Sequence, residues 1–221
     1  MGALAKQYTI ILMHSDLLKQ FPVISDQVSK DDISLVLQSL ESVLDKQTAG
    51  DVVELGCYLG TTSLFIQRLL DVHPHGAGRS FHAYDSFAGL PEKSIADASV
   101  AGTSFKAGEL SVSKKQFIRE FQRAHVRLPI IHKAWFNELS ASDVPDTIAF
   151  AFLDGDFYDS ILTSLKLVWP RMAPGSLVLI DDYGREALPG VERAVRDFFQ
   201  HRALPPQRVA HNIAILKVAA I

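Results

Sequence analysis

The chain has 221 residues, of which 48% are hydrophobic and 21% are charged, and its 22 basic and 25 acidic side chains give a net charge of −3. This apolar content excludes an intrinsically disordered chain, because enough surface can be buried to offset the entropy lost on folding. The mild negative charge argues against a nucleic-acid partner, which usually needs a concentrated basic surface. The single cysteine, Cys57, excludes an intrachain disulfide and a cysteine-based zinc site.

Apolar runs long enough for export or membrane insertion are absent from the sequence. The longest early run, residues 10–13, is followed at once by His14 and Asp16, whereas a signal peptide needs about 7–15 apolar residues and a membrane-spanning helix about 20. We therefore expect a cytoplasmic protein with no membrane partner. The length fits a single α/β domain over residues 1–221.

The predicted elements begin with helices in residues 1–50 and continue as alternating strands and helices. Asp31 or Asp32 can cap the first clear helix. Its apolar residues repeat at helical spacing, at Ile33, Val36, Leu37, Leu40 and Leu44. Strands are predicted at residues 51–55, 81–84, 128–131, 149–153 and 176–180, and one or two more within 208–218. Helices are predicted from Thr61, from Ser113, over residues 161–169 and over residues 191–200. This alternation implies βαβ units, hence a mostly parallel sheet with helices on both faces.

The segment from Ser86 to Ser111 has no sustained hydrophobic period and is rich in Gly, Ala, Ser and Lys. We predict that it is a long loop or lid, at about residues 88–112 of a core that spans 51–221. Structureless loops longer than roughly 12–15 residues usually have a function or are mobile.

Ligands of such sheets bind at the carboxyl ends of the strands. The first strand ends at Glu54 and Leu55, and Gly56 and Gly60 let the backbone approach a ligand closely. The loop is neither a phosphate-binding P-loop, since it lacks the lysine, nor a dinucleotide fingerprint, since Tyr58 replaces the middle glycine. An acidic residue with glycines two and six positions later suits a ligand with a positive amino group, such as S-adenosylmethionine. A tight strand-to-helix turn explains the same residues.

Asp85 ends the second strand, 31 residues after Glu54. A carboxylate at this position can accept hydrogen bonds from both hydroxyls of a ribose. The alternative is an aspartate that caps a turn before Gly89 and Pro91. Together with the first loop, we favour ribose binding.

Two acidic pairs end the later strands, Asp154 with Asp156 and Asp181 with Asp182. The carboxyl ends of adjacent parallel strands lie close together, so we expect four carboxylates to converge. Like charges in a small volume repel one another and raise their pKa values. A divalent cation that prefers oxygen ligands, such as Mg²⁺, resolves this repulsion. Solvated turn carboxylates are the alternative.

The motifs and their order resemble a known family. They are Glu54-x-Gly56, Asp85-Ser86-Phe87-x-Gly89-Leu90-Pro91, Trp135-Phe136, Leu153-Asp154-Gly155-Asp156-x-Tyr158 and Asp181-Asp182-Tyr183. Over roughly residues 50–200 they are similar to the macrocin O-methyltransferase family of class I methyltransferases, which methylate sugar hydroxyls of natural products. The resemblance implies a Rossmann-like, doubly wound sheet of seven mostly parallel strands, with extra N-terminal helices and a lid.

The resemblance also implies the roles of individual residues. The S-adenosylmethionine-binding residues would be Glu54, Gly56, Tyr58, Gly60, Thr61, Ser63, Asp85, Ser86, Trp135, Phe136 and Asp154. The loop from Glu54 to Gly60 would hold the methionine end, and Trp135 and Phe136 would flank the adenine. The Mg²⁺ ligands would be Asp154, Asp181 and Asp182, and Asp154 and Asp156 would be catalytic, with Asp156 as the general base.

The implied activity is Mg²⁺-dependent methyl transfer from S-adenosylmethionine to a hydroxyl of a small glycosylated or polyhydroxylated molecule. Two alternatives stay open, namely a catechol-type methyltransferase that acts on a vicinal diol and a non-catalytic cofactor-binding module. His132, beside the third predicted strand, is a second candidate base. The unassigned apolar faces of the N-terminal helices suggest a homodimer.

Overall fold

The computed structural model describes residues 14–100, 105–202 and 207–219. Seven strands form one sheet, β1 to β7, at Asp51–Leu55, Phe81–Asp85, Ile130–Lys133, Ile148–Leu153, Met172–Ile180, Gln207–Ala210 and Ile213–Lys217. Their order is β3-β2-β1-β4-β5-β7-β6. Neighbours among β1 to β5 pair in parallel, whereas β7 is antiparallel to both β5 and β6. The prediction of a doubly wound, mostly parallel sheet of seven strands is therefore confirmed.

Helices cover both faces of this sheet. The α-helices in the described residues, α1 to α6, span His14–Gln20, Lys30–Asp45, Thr61–Val72, Lys114–Ala124, Tyr158–Val168 and Pro189–Phe199. Successive strand residues point to opposite faces, so Val52 contributes to a core with α1 to α4 and Val53 to a core with α5 and α6. None of the helices in these ranges combines the length and the apolar character that crossing a membrane requires.

The helix α2 begins earlier than the sequence predicted. Its N-cap is Ser29, and neither Asp31 nor Asp32 fills that position. The Ser29 hydroxyl accepts a hydrogen bond from the Asp32 N–H at 3.1 Å, and the Asp32 carboxylate accepts one from the Ser29 N–H at 3.1 Å. The pattern is a capping box, in which the acidic residue lies one turn inside the helix. The predicted cap was therefore wrong by two or three residues.

The apolar face of α2 packs inside the chain. The five predicted core residues of this helix are fully buried, namely Ile33, Val36, Leu37, Leu40 and Leu44. They join the core that α3 and the sheet complete. The apolar face that suggested a homodimer is thus already covered within one chain.

Two strand boundaries differ from the predicted ones. β3 begins at Ile130, two residues later than expected, because Pro129 has no N–H to donate to the sheet. β5 begins at Met172, four residues earlier than expected, across an irregular register with β4. The predicted closing segment is a hairpin of β6 and β7, whose turn residues His211 and Asn212 both have positive φ.

The predicted lid is closed at its base by hydrogen bonds between its own two ends and is attached to the domain in its middle. Leu90 donates its N–H to the Glu109 carbonyl at 2.8 Å, and its own carbonyl accepts the Gly108 N–H at 2.9 Å. A 3₁₀ turn spans Ile95–Asp97, so this segment is not without structure. The buried Asp97 carboxylate accepts the Tyr158 N–H, at the first residue of α5, at 2.7 Å. Residues 101–104 of the predicted lid lie outside the described ranges.

Candidate active site

A cavity opens at the carboxyl edge of the sheet, beside the switch in strand order between β1 and β4. Seven of the eleven residues predicted to bind the cofactor line it, namely Gly56, Tyr58, Asp85, Ser86, Trp135, Phe136 and Asp154. The four predicted carboxylates also line it, at Asp154, Asp156, Asp181 and Asp182. The cavity thus lies at the strand ends where the sequence predicted a ligand.

The remaining predicted cofactor residues lie behind the lining of this cavity, at Glu54, Gly60, Thr61 and Ser63. Glu54 is buried and accepts a short hydrogen bond from the Ser63 hydroxyl. Burial, reinforced by the nearby charge of Asp85, raises the pKa of Glu54 to about 8. Within the described residues, the buried Thr61 hydroxyl has no hydrogen-bond partner. If the ammonium group of a ligand reached past the cavity lining, the oxygens of Glu54 and Thr61 could still accept hydrogen bonds from it.

Asp85 holds two loops in place, the one after β1 and the one after β2. One carboxylate oxygen accepts the N–H groups of Cys57 and Tyr58, at 2.9 and 3.0 Å. The other oxygen accepts the Phe87 N–H at 2.7 Å. Asp85 thus fulfils the turn-capping alternative, and it also lines the cavity where ribose was predicted.

The loops that carry the site are held in unusual backbone conformations. Tyr58, Phe87, Asp156 and Asp182 all have φ between 45° and 60°. Positive φ is unfavourable for any residue with a side chain. Residues held in this conformation cluster where the surrounding structure fixes a functional geometry. At Gly56, φ is 96° and a Cβ atom would lie 1.7 Å from the Asp154 carbonyl oxygen, so only glycine allows the ends of β1 and β4 to touch.

Three carboxylates form a group that could hold a metal ion. One oxygen from each of Asp154, Asp181 and Asp182 lies within 4.8 Å of the others. Burial, followed by the charges of neighbouring carboxylates, raises the pKa of Asp154 and raises those of Asp156 and Asp181 to about 8 and about 7. A set of desolvated, mutually repelling oxygen donors fits Mg²⁺ or another hard divalent cation.

Arg185 is a cavity residue that the sequence analysis missed. Its Nη1 lies 2.5 Å from Oδ1 of Asp182. Burial raises the pKa of Asp182, and the positive charge of Arg185 acts in the opposite direction. The two residues are three positions apart in the turn after β5. That spacing is the one feature of the sequence that could have predicted their ion pair. Gln27, from the loop between α1 and α2, also lines the cavity and carried no recognisable motif.

His132 lies apart from the cavity lining. Its ring stacks on Tyr84 with centroids 4.3 Å apart and shares a 3.1 Å hydrogen bond with His82. Burial lowers the pKa of His132. These contacts describe a packed histidine, and Asp156 is the candidate base that the cavity presents.

The fold and the cavity together define a class I methyltransferase fold, and comparisons with known proteins specify the family. The family model described as macrocin O-methyltransferase (TylF) matches residues 25–213. The chain belongs to this family. The match begins before residue 50, so it includes α2, for which the motifs had given no assignment.

Two relatives and one solved structure illustrate the similarity. The 8-demethyl-8-(2,3-dimethoxy-alpha-L-rhamnosyl)-tetracenomycin-C 4'-O-methyltransferase of Streptomyces olivaceus is 32% identical over 165 residues, which are 72% of this chain and 61% of that protein. The demethyldecarbamoylnovobiocin O-methyltransferase of Streptomyces niveus is 27% identical over 155 residues, 67% and 58% of the two chains. The structure of the O-methyltransferase NovP has a TM-score of 0.76 at 22% identity and covers 87% of this chain and 81% of its own. The chain thus spans about three-fifths of the curated relatives that it matches.

Proposed function

We propose that this protein transfers a methyl group from S-adenosylmethionine to a hydroxyl of a small glycosylated or polyhydroxylated molecule, with Mg²⁺ bound at the acidic group. The observation that carries the proposal is the convergence of Asp154, Asp181 and Asp182 at one edge of the cavity that Trp135 also lines. The names of the Streptomyces relatives, which include a rhamnosyl 4'-O-methyltransferase, support a sugar hydroxyl as the acceptor.

The cofactor would lie between the glycine loop after β1 and the aromatic pair after β3. Trp135 and Phe136 line the cavity and offer flat apolar surfaces to an adenine ring. Asp85 would contact the ribose while it keeps the β1 loop in place. Glu54, mostly neutral in the protein without a ligand, would ionise beside the methionine ammonium, because an adjacent positive charge lowers the pKa of a carboxyl.

The acceptor hydroxyl would be held between the metal ligands and Asp156. When bound, a divalent cation supplies a Lewis acid that lowers the pKa of a hydroxyl next to it. Burial raises the pKa of Asp156 to about 8, and the positive charge of a cation bound beside it would lower that pKa, so that Asp156 would be ionised and could take the proton near neutral pH. The other carboxylates position the acceptor, and positioning dominates an in-line methyl transfer.

The test combines binding and product analysis. Calorimetry with S-adenosylhomocysteine should show binding, and absence of binding at about 1 mM would refute the cofactor assignment. Incubation with S-adenosylmethionine, Mg²⁺ and a panel of glycosides, polyols and catechols should give a product heavier by one methylene group. Turnover of catechols alone would favour the catechol-type alternative, and tight cofactor binding without Mg²⁺ binding or turnover would favour the non-catalytic one.

Two variants and a matched control complete the test. Asp154→Asn and Asp182→Asn should weaken Mg²⁺ binding on the order of 100-fold or more, because each removes a charged ligand and the loss of a residue that only orients a ligand already costs about 10–100-fold. Asp146→Asn makes the same chemical change at an exposed carboxylate outside the cavity, and it should leave Mg²⁺ binding unchanged. A cytoplasmic location, the absence of a nucleic-acid partner and a homodimer remain predictions from the sequence.

A further inference from the structure

Arg185 occupies an unusual place in the cavity. Among the described residues that line the cavity it is the one basic side chain, beside five carboxylates. It follows β5 in a turn in which its N–H donates to the Asp182 carbonyl at 3.2 Å. Its guanidinium then folds back and places Nη1 2.5 Å from Oδ1 of the same Asp182. One residue therefore contacts a candidate metal ligand through both its backbone and its side chain.

The Asp182 carboxylate is buried, whereas the Arg185 side chain is half-exposed. The carboxylate therefore cannot turn away from the cluster, but the guanidinium can leave it with little rearrangement. In the same position the guanidinium lies 5.9 Å from the ring centroid of Phe105 in the lid, an aromatic face that it could still contact after it leaves Asp182. Arginine is stable against an aromatic face.

We propose that Arg185 is a built-in counter-cation that competes with the divalent metal for the Asp182 carboxylate. This inference rests on the metal site of the proposed function and adds how its affinity is set. Without a metal, the guanidinium offsets part of the charge that Asp154, Asp181 and Asp182 bring together. Metal binding then has to overcome the repulsion between two cations at one carboxylate, so the affinity is lower than that of the carboxylates alone.

The opposite role makes a different prediction. A hydrogen-bonded neighbour of a ligating carboxylate can orient it, and removal of such a neighbour weakens metal binding by roughly 10–100-fold. If Arg185 acted in that way, its removal would lower the affinity. Competition and orientation thus differ in the sign of the change, which a binding measurement decides without any assay of methyl transfer.

The experiment is a calorimetric titration of the purified full chain with Mg²⁺. It is done at about pH 9, so that protons do not mask the carboxylates by competing with the metal. We expect Arg185→Gln to bind Mg²⁺ more tightly than the unmodified chain, on the order of tenfold, or about 1.4 kcal/mol. Arg185→Lys keeps the charge and should stay within about threefold of the unmodified chain. The control Arg196→Gln removes one positive charge from an exposed pair with Asp197, away from the cavity, and should change nothing.

Each outcome separates this inference from the proposed function. Unchanged or weaker binding by Arg185→Gln overturns the competition, while binding by the unmodified chain would still support the metal site. If Arg185→Gln binds Mg²⁺ and the unmodified chain does not, the competition is strong enough to prevent metal binding. If neither protein binds Mg²⁺, both the inference and the proposed metal site are wrong. Thermal unfolding of Arg185→Gln checks that the exposed substitution leaves the fold intact.

Discussion

The Ser63 hydroxyl donates a hydrogen bond to the carboxylate of Glu54, and both side chains are buried behind the cavity. The contact ties the first turn of α3 to the end of β1. Because burial raises the pKa of Glu54 to about 8, this carboxyl is mostly neutral at pH 7 in the protein without ligand. Glu54 can therefore support the strand-to-helix turn and still be available to a positive ligand, and the two roles can be separated by substitution.

Glu54→Gln should separate them. Glutamine has nearly the same shape and its amide oxygen can still accept from Ser63, so the unfolding temperature should stay close to that of the unmodified chain. The amide cannot ionise beside an ammonium group, so the affinity for S-adenosylhomocysteine should fall roughly tenfold or more, since hydrogen bonds to charged groups contribute about 1.5–3 kcal/mol. Calorimetry and thermal unfolding on the same sample measure both effects. Unchanged affinity would leave Glu54 with the structural role alone.

The stability of the ligand-free protein should fall as the pH rises. Burial raises the pKa values of Glu54, Asp156 and Asp181 to about 8, 8 and 7, whereas the same groups ionise near pH 4 in an unfolded chain. Between these limits the folded state holds more protons than the unfolded state. Their contribution to stability is fully present below about pH 4 and is lost as the pH rises to about 8.

Thermal unfolding at about pH 5 and about pH 8.5 measures this change. The unfolding temperature should be lower at the higher pH, and Mg²⁺ should raise it there and have little effect at the lower pH, where protons occupy the carboxylates. An unfolding temperature that rises with pH would contradict the electrostatic description of the acidic group.

The sequence predicted the positions of strands and acidic groups well, because both depend on local patterns. Apolar runs that end in Gly or Asp mark β1 and β4, and parallel pairing then brings Asp154 next to Asp181 and Asp182. Contacts made by distant segments could not be predicted in this way. No local spacing indicates that Gln27 reaches the cavity or that Asp85 accepts the N–H groups of Cys57 and Tyr58 from the loop after β1. Those facts depend on how the loops fold over the sheet.

Gly56→Ala and Gly78→Ala form a matched pair that tests the contact between β1 and β4. Both glycines have positive φ, of 96° and 86°. At residue 78 nothing lies within 4 Å of an added Cβ atom, so alanine there should cost only the backbone strain, about 1–2 kcal/mol. At residue 56 the Cβ atom would overlap the Asp154 carbonyl oxygen, so the loss should reach about 3 kcal/mol or more.

Denaturant unfolding of the two glycine variants gives both free energies. To relieve the overlap with the new Cβ atom, the end of β4 has to move, and Asp154 moves with it. Gly56→Ala should therefore also weaken Mg²⁺ binding, whereas Gly78→Ala should leave it unchanged. Equal stability losses in the two variants would show that the ends of β1 and β4 can separate without penalty.

Asp97 should determine how firmly the lid is attached. Its buried carboxylate accepts the Tyr158 N–H at 2.7 Å, the Ser94 N–H at 2.9 Å and the Ser94 hydroxyl at 2.8 Å. Asp97→Ala leaves these partly buried donors without their acceptor, which costs about 1–3 kcal/mol. The lid should then open more often, and limited proteolysis within residues 105–113 should be faster. Glu92→Ala removes an exposed carboxylate from the same lid and should leave the cleavage rate unchanged. Equal rates for the two variants would mean that other contacts, such as the hydrogen bond from the Ser99 hydroxyl to the Glu186 carbonyl, hold the lid without help from Asp97.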